Sequence, residues 1–311
     1  LTANTTGDNN TAMGNSTLDA STTGSYNTAF GHSALGANTT GNYNTAVGGE
    51  CLEANTTGRN TAVGWRALKT VTTGMNNTAV GDHALNACTG DFNTALGHGA
   101  LQTSAAGDEN TAVGCRTLFS NTSGAYNVGM GASALYANTT GDENVAIGYH
   151  ALKASTTANK NTAVGYGALS ANTSGTDNTG VGNDVLAANT TGVQNVAFSR
   201  LALKANTTGS NNTAIGYYAL GTQTTAIDNT ALGHVALYAN TTGQKNVGIG
   251  CSALDANTTG SYNTAVGRNA LSSNTTADEN TAVGNSALSA NTTGASNTAV
   301  GNSALQENTT G

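Results

Sequence analysis

The 311-residue chain contains no proline, one tryptophan, four phenylalanines and three methionines, and only 9% of its residues are charged. An ordinary globular domain carries about 25% charged residues, so this scarcity argues against the usual enzyme classes. Ten Lys and Arg stand against seventeen Asp and Glu, for a net charge of −7. That balance lacks the dense basic face needed to read a phosphate backbone, and nucleic acid is not an expected partner. No apolar run approaches the roughly 20 residues of a membrane-spanning helix, so no membrane insertion is expected of this segment. The missing proline is itself informative, because proline removes a donor from a strand ladder.

What the chain does have is a repeat. The string N-T-A-V-G or a close variant returns eighteen times between Asn10 and Asn297, at steps of 17 residues and twice of 16. The two short steps run from Asn44 to Asn60 and from Asn77 to Asn93, and each loses one residue beside the second Gly. The unit reads N-T-A-V-G-x-x-A-L-x-A-N-T-T-G-x-x, and no separate domain interrupts it. Residues 1–311 therefore read as one continuous repeat. Leu1 enters at the Leu phase and Gly311 leaves at the second Gly, so we expect a segment of a longer chain.

Each column reports an environment. Asn opens all eighteen copies and the Leu column, from Leu18 to Leu305, holds Leu in all eighteen. The Val column accepts only apolar residues, such as Met13, Phe30, Leu96 and Ile147, and reads as buried. The Thr column accepts Thr or Val, which suits a strand. The Ala column accepts only Ala or Gly, as at Gly129, Gly180 and Gly248, so something approaches closely there. The first Gly is replaced once, by Ser199, and the second by Ala158, Ala226 and Ala277. Such glycines imply turns with positive φ or close backbone approach.

A 17-residue unit rich in Thr, Asn and Gly is too short for a helical hairpin, and the alternation over T-A-V-G fits a strand. Two short strands and two turns per unit predict an all-β parallel β-solenoid of about eighteen rungs, its Asn columns stacked as amide ladders. Alternation leaves two orientations open. Thr and Val face inward with Leu, or Ala and Gly face inward and an apolar Val stripe lies outside. Either orientation favours self-association, since one thin solenoid buries few large side chains.

The repeated unit, as in Asn161 to Leu169 (NTAVGYGAL), resembles the β-roll head motif of trimeric autotransporter adhesins, and the longer unit is similar to repeats of phage tail fibre shafts. The resemblance implies a left-handed β-roll, three chains in a surface-exposed adhesive rod, and a place outside the cell or on a virion. The longer unit departs from the adhesin pattern, and a second turn that protrudes further is expected.

Chemistry is sparse. Cys115 and Cys251 share a column but lie eight rungs apart, far beyond the roughly 4.4–6.8 Å of a disulfide. Cys51 reads as a buried thiol beside Leu, and Cys88 sits in a shortened turn. His32, His83, His98, His150 and His234 have no His in an adjacent rung, and the pairs Asp108-Glu109, Asp142-Glu143 and Asp278-Glu279 do not make a converging ligand loop. No nucleophile elbow or phosphate loop is present, so neither catalysis nor a cofactor is expected.

Aromatic residues fall in the variable columns. Trp65, Tyr149, Tyr166, Tyr217 and Tyr218 are candidate contacts for a glycan, a cell-surface receptor or a partner, although simple tolerance at exposed positions also accounts for them. Tyr26 and Tyr43 share a column in neighbouring rungs, where a stacked pair fits. Thirteen N-T-T or N-T-S strings, including Asn38, Asn138 and Asn257, are formal glycosylation sequons. Turn chemistry explains their recurrence better. A structural fibre or adhesin shaft is the leading expectation, followed by an extracellular filament of solenoids stacked end to end. Ice binding on the Thr-Thr columns is weaker, given interruptions at Cys88-Thr89 and Ala105-Ala106.

Overall fold

The computed structural model describes residues 2–103 and 106–311. Leu1, on which the phase of entry rests, and Ala105 of the Thr-column interruption lie outside the described residues. The chain forms two compact units, Leu1–Asn159 and Lys160–Gly311. Unit 1 stacks strands from β1 (Thr11–Met13) and β2 (Thr28–Phe30) to β9 (Val145–Ile147), and unit 2 those from β10 (Thr162–Val164) to β18 (Thr298–Val300). Within each unit every strand pairs in parallel with the next in the chain, column on column: Thr28 with Thr45, Ala29 with Ala46, Phe30 with Val47. The described residues contain no helix. This is a parallel β-solenoid.

A rung contains one three-residue strand, not the two that alternation suggests. The A-L-x-A stretch cannot be a second strand because its residues alternate in backbone sign. Ser33 sits at φ 55° and Leu35 at φ 52°, far from the extended region. Its N–H groups nevertheless bond from rung to rung: Leu35 donates to the Cys51 carbonyl at 3.0 Å and Ala37 to that of Glu53 at 2.8 Å. Left-handed backbone costs a non-glycine residue about 1–3 kcal/mol. The Leu column bears this because its side chain is the main core filler; Leu35, Leu118 and Leu220 are fully buried.

The strand turns its Ala inward. Ala29, Ala46 and Ala214 are fully buried, whereas Met13 is 64% and Phe30 40% exposed. The expectation of a buried Val column is thus overturned, and the orientation with the apolar stripe outside is the one adopted. The reason is width: opposite the strand lies the Leu layer, which leaves room for little more than a methyl group. Two of the three glycines in the Ala column mark places where that layer thickens. A Cβ on Gly129 would lie 2.5 Å from Thr117 Cγ2, and one on Gly180 3.1 Å from Val185 Cγ1. Thr117 and Val185 stand before Leu, where fourteen of the eighteen rungs carry Ala.

The two glycine columns answer different needs. Gly14 has φ 134°, and a Cβ there would also meet the Gly31 carbonyl oxygen at 2.6 Å. Gly24 needs no positive φ; its constraint is approach alone, at 2.6 Å from the Gly41 carbonyl oxygen. The second column accordingly accepts Ala three times.

Candidate functional site

Both Asn columns form buried amide ladders that converge on one atom per rung. The Gly41 carbonyl accepts from Asn27 Nδ2 at 2.8 Å and from Asn38 Nδ2 at 3.0 Å. The first column does more than the second. Asn27 Oδ1 accepts the backbone N–H of Asn44 at 2.9 Å, and in unit 2 Asn195 Oδ1 accepts that of Asn212 at 3.1 Å. In the second column the link is between side chains only, as from Asn206 Nδ2 to Asn189 Oδ1 at 2.9 Å.

These ladders decide how the sequons are placed. Asn38, Asn138 and Asn257 are fully buried, and each donates its side-chain amide to the carbonyl of a glycine three residues on. A glycan on any of these three nitrogens would displace that bond. Threonine hydroxyls are drawn into the same lattice. Thr139, Thr190 and Thr241 donate to threonine carbonyls one rung on at 2.9–3.0 Å.

The shortened rungs show how a residue is lost. Thr57, not Gly58, occupies the second-glycine position: its carbonyl accepts Asn44 Nδ2 at 2.9 Å and Asn55 Nδ2 at 2.8 Å. In the second short rung Cys88 takes the ladder position and its thiol donates to the Gly90 carbonyl at 3.3 Å. Both rungs therefore lack one of the two turn threonines. The first leaves an open notch of about 320 Å³ lined by residues that include Thr40, Tyr43, Arg59 and Met75.

All four cysteines are free. Burial pushes the Cys51 thiol up to about 12 and that of Cys88 to about 11, so neither is a ready nucleophile. Cys115 and Cys251 are exposed. Among the described residues no three His, Cys, Asp or Glu side chains gather to hold a metal ion, and no helix is long and apolar enough to cross a membrane.

The variable columns hold two aromatic clusters. In unit 1 the Arg66 guanidinium lies 4.1 Å from the Trp65 ring centre, and His83 meets the ring edge-on at 4.8 Å. Glu50 bridges Arg66 at 2.8 Å and Lys69 at 2.7 Å, and these partners, Lys69 foremost, hold its carboxyl down at about 2. In unit 2 Tyr217 meets Tyr218 edge-on at 4.8 Å and stacks on His234 at 5.5 Å, while Tyr238 meets Tyr218 at 5.6 Å. Tyr149 stacks on His150 at 3.7 Å, and Tyr166 is 55% exposed. Tyr26 and Tyr43 form the expected stack, 5.1 Å apart. A second stack, Phe119 on Tyr136 at 5.3 Å, follows from the same 17-residue rule applied to the column after Leu.

Each unit also presents a strand face. Outward of the buried Ala run a Thr/Val column and an apolar column, whose members at least 36% exposed are Met13, Phe30, Val47, Val63, Leu96, Met130 and Ile147 in unit 1 and Phe198, Ile215, Leu232, Val283 and Val300 in unit 2, the rest being half-buried. No protein-family model and no characterised protein matches this chain at a significant level.

Proposed function

We propose that this chain is a structural segment of an exposed fibre or adhesin shaft, whose strand faces pack against copies of the chain while the variable columns face outward. The apolar column on the strand face carries the reading. A solvated antiparallel face would alternate to polar residues, yet here the outward position holds Val, Ile, Leu, Met or Phe in every rung. A continuous apolar surface of that kind marks an interaction face. The partner that matches an unbroken repeat is another repeat of the same spacing. Few charges, and no cluster of catalytic type among the described residues, support a non-enzymatic role, and the resemblance of the unit to β-roll adhesin and tail-fibre repeats supports three chains and an extracellular or virion setting.

Sedimentation of the full chain, followed by cryo-electron microscopy, tests this. Three chains packed through their strand faces are expected, and Ile147→Glu with Ile215→Glu should give monomers with an unchanged β spectrum. A wild-type monomer, or single columns stacked end to end into filaments, would overturn the reading.

A further inference from the structure

We infer that the notch beside the first shortened rung binds a sugar ring bearing a carboxylate, with Tyr43 against the ring and Arg59 on the acid. The inference deepens the reading of the chain as a display surface and rests on it. Its geometry begins with the missing threonine. Neighbouring rungs carry Thr39-Thr40 and Thr72-Thr73 in the turn, whereas here Thr57 has dropped into the glycine position. The space left, about 320 Å³, lies at the small end of ligand sites, which run from about 300 Å³ upward.

The walls supply what such a ligand needs. Tyr43 is 56% exposed, with one ring face covered by Tyr26 at 5.1 Å. Arg59 takes the place before Asn one rung on, as Tyr43 does in its own rung, and both line the notch. Stacking on Tyr26 fixes the ring, so little side-chain freedom is lost when a sugar settles on it. Met75, 43% exposed, adds an apolar wall. Arg59 is exposed and makes no ion pair among the described residues, unlike Arg66 and Lys69, which share Glu50. Its backbone is pinned by donation to the Asn42 carbonyl at 2.9 Å. A guanidinium free of protein carboxylates is matched by a bidentate carboxylate from a ligand. Asp91 has one oxygen committed to the Met75 N–H at 2.7 Å. No lining residue belongs to a strand, so packing through strand faces leaves the notch open.

Unit 2 provides an internal control. A notch of the same volume there is lined by Ser272, Ser289, Gln306 and Glu307 among others, with no aromatic ring and no cation. It has nothing to stack on and a carboxylate that repels an acid.

The three methionines, Met13, Met75 and Met130, make a local readout. With the full chain labelled at the methionine methyl groups, titration with methyl β-glucuronide should shift the Met75 signal saturably and leave the other two in place. Methyl β-glucoside, the neutral counterpart, should bind about tenfold more weakly or less, as should the glucuronide to Arg59→Gln. Inserting one Thr after Thr56 to restore a 17-residue rung should abolish the response. An unmoved Met75 signal, an equal response to the glucoside, equal shifts of all three methyls, or a response surviving the insertion would each overturn the inference. None of these readouts depends on how many chains associate, so failure here and failure of the fibre reading are separable.

Discussion

The two units share a rung but differ in how faithfully they keep it. In unit 2 the second amide column runs Asn172, Asn189, Asn206, Gln223, Asn240, Asn257, Asn274, Asn291 and Asn308, without a residue lacking an amide. In unit 1 the sequence of the same column passes through Ser21, Val71, Cys88, Ser104 and Ser155, and both shortened rungs fall there. The first Asn column never changes in either unit. The difference follows from what each side chain serves. A first-column Oδ1 is the acceptor for a buried backbone N–H in the next rung, and a buried donor without acceptor costs about 1–3 kcal/mol. A second-column Asn connects side chains, and its loss strands only its neighbour. Where the next rung offers Ser155 in place of an amide, both Asn138 Oδ1 and Ser155 Oγ are buried without a partner; Asn38 Oδ1 and Asn206 Oδ1 are also left so, although Asn55 and Gln223 follow them, because those amides donate to the Thr57 and Ala226 carbonyls.

The sharpest way to break this comparison lies in unit 2. Asn195→Ala removes the acceptor for the Asn212 N–H and Nδ2, both at 3.1 Å, and the donor to Gly209. We expect a loss of about 2–4 kcal/mol in urea unfolding and rapid exchange of the Asn212 amide. Asn206→Ser should cost about 1 kcal/mol and leave that amide protected; equal losses would erase the distinction between columns. Repairing unit 1 is a smaller step. Ser155→Asn supplies the missing donor to Asn138, and Asn274 beside Ala277 shows that the pair Asn and Ala is tolerated in one turn. A gain of about 1 kcal/mol is expected, and no gain would mean that the orphan oxygen is not what weakens this column.

The smallest effect separates the units by pH. Both buried thiols, Cys51 and Cys88, belong to unit 1. Their folded values of about 12 and about 11 lie above the ordinary thiol value of 9.0, so between pH 9 and 11 the unfolded chain loses protons that the folded one keeps. Stability of unit 1 should therefore fall as pH rises above 9 while unit 2 holds. Limited proteolysis across pH 8–11 reads the difference. Alkylation at pH 8 should modify Cys115 and Cys251 long before the other two.

Much of this fold is legible in the sequence because each column is a physical environment repeated many times. The Leu layer, the Asn ladders and the stacked Tyr26 and Tyr43 all follow from reading down the columns. The strand's orientation does not, because T-A-V-G is small or apolar on both faces; only Gly129 with Thr117 and Gly180 with Val185 reveal which side is crowded. The single strand per rung is hidden for another reason. Propensity gives no warning that leucine will be held at φ near 50°, since tertiary burial overrides local preference. At the notch, aligning on Gly58 conceals that Thr57 has taken the glycine's place, and the contact aromatics alone do not point to Arg59.

The converging carbonyl has a consequence for how such a chain changes over generations. The polar partners of a rung lie within that rung, as Gly41 does for Asn38, or one unit away, as Asn44 does for Asn27, so duplicating or deleting a unit hands each amide an equivalent partner and leaves the local structure as it was. A change by a fraction of a unit does not, and needs a repair like that at Thr57. Length is thus a nearly neutral trait in this architecture: recombination between repeats can lengthen or shorten it in whole-unit increments, and selection can set the reach of the molecule without redesigning any residue.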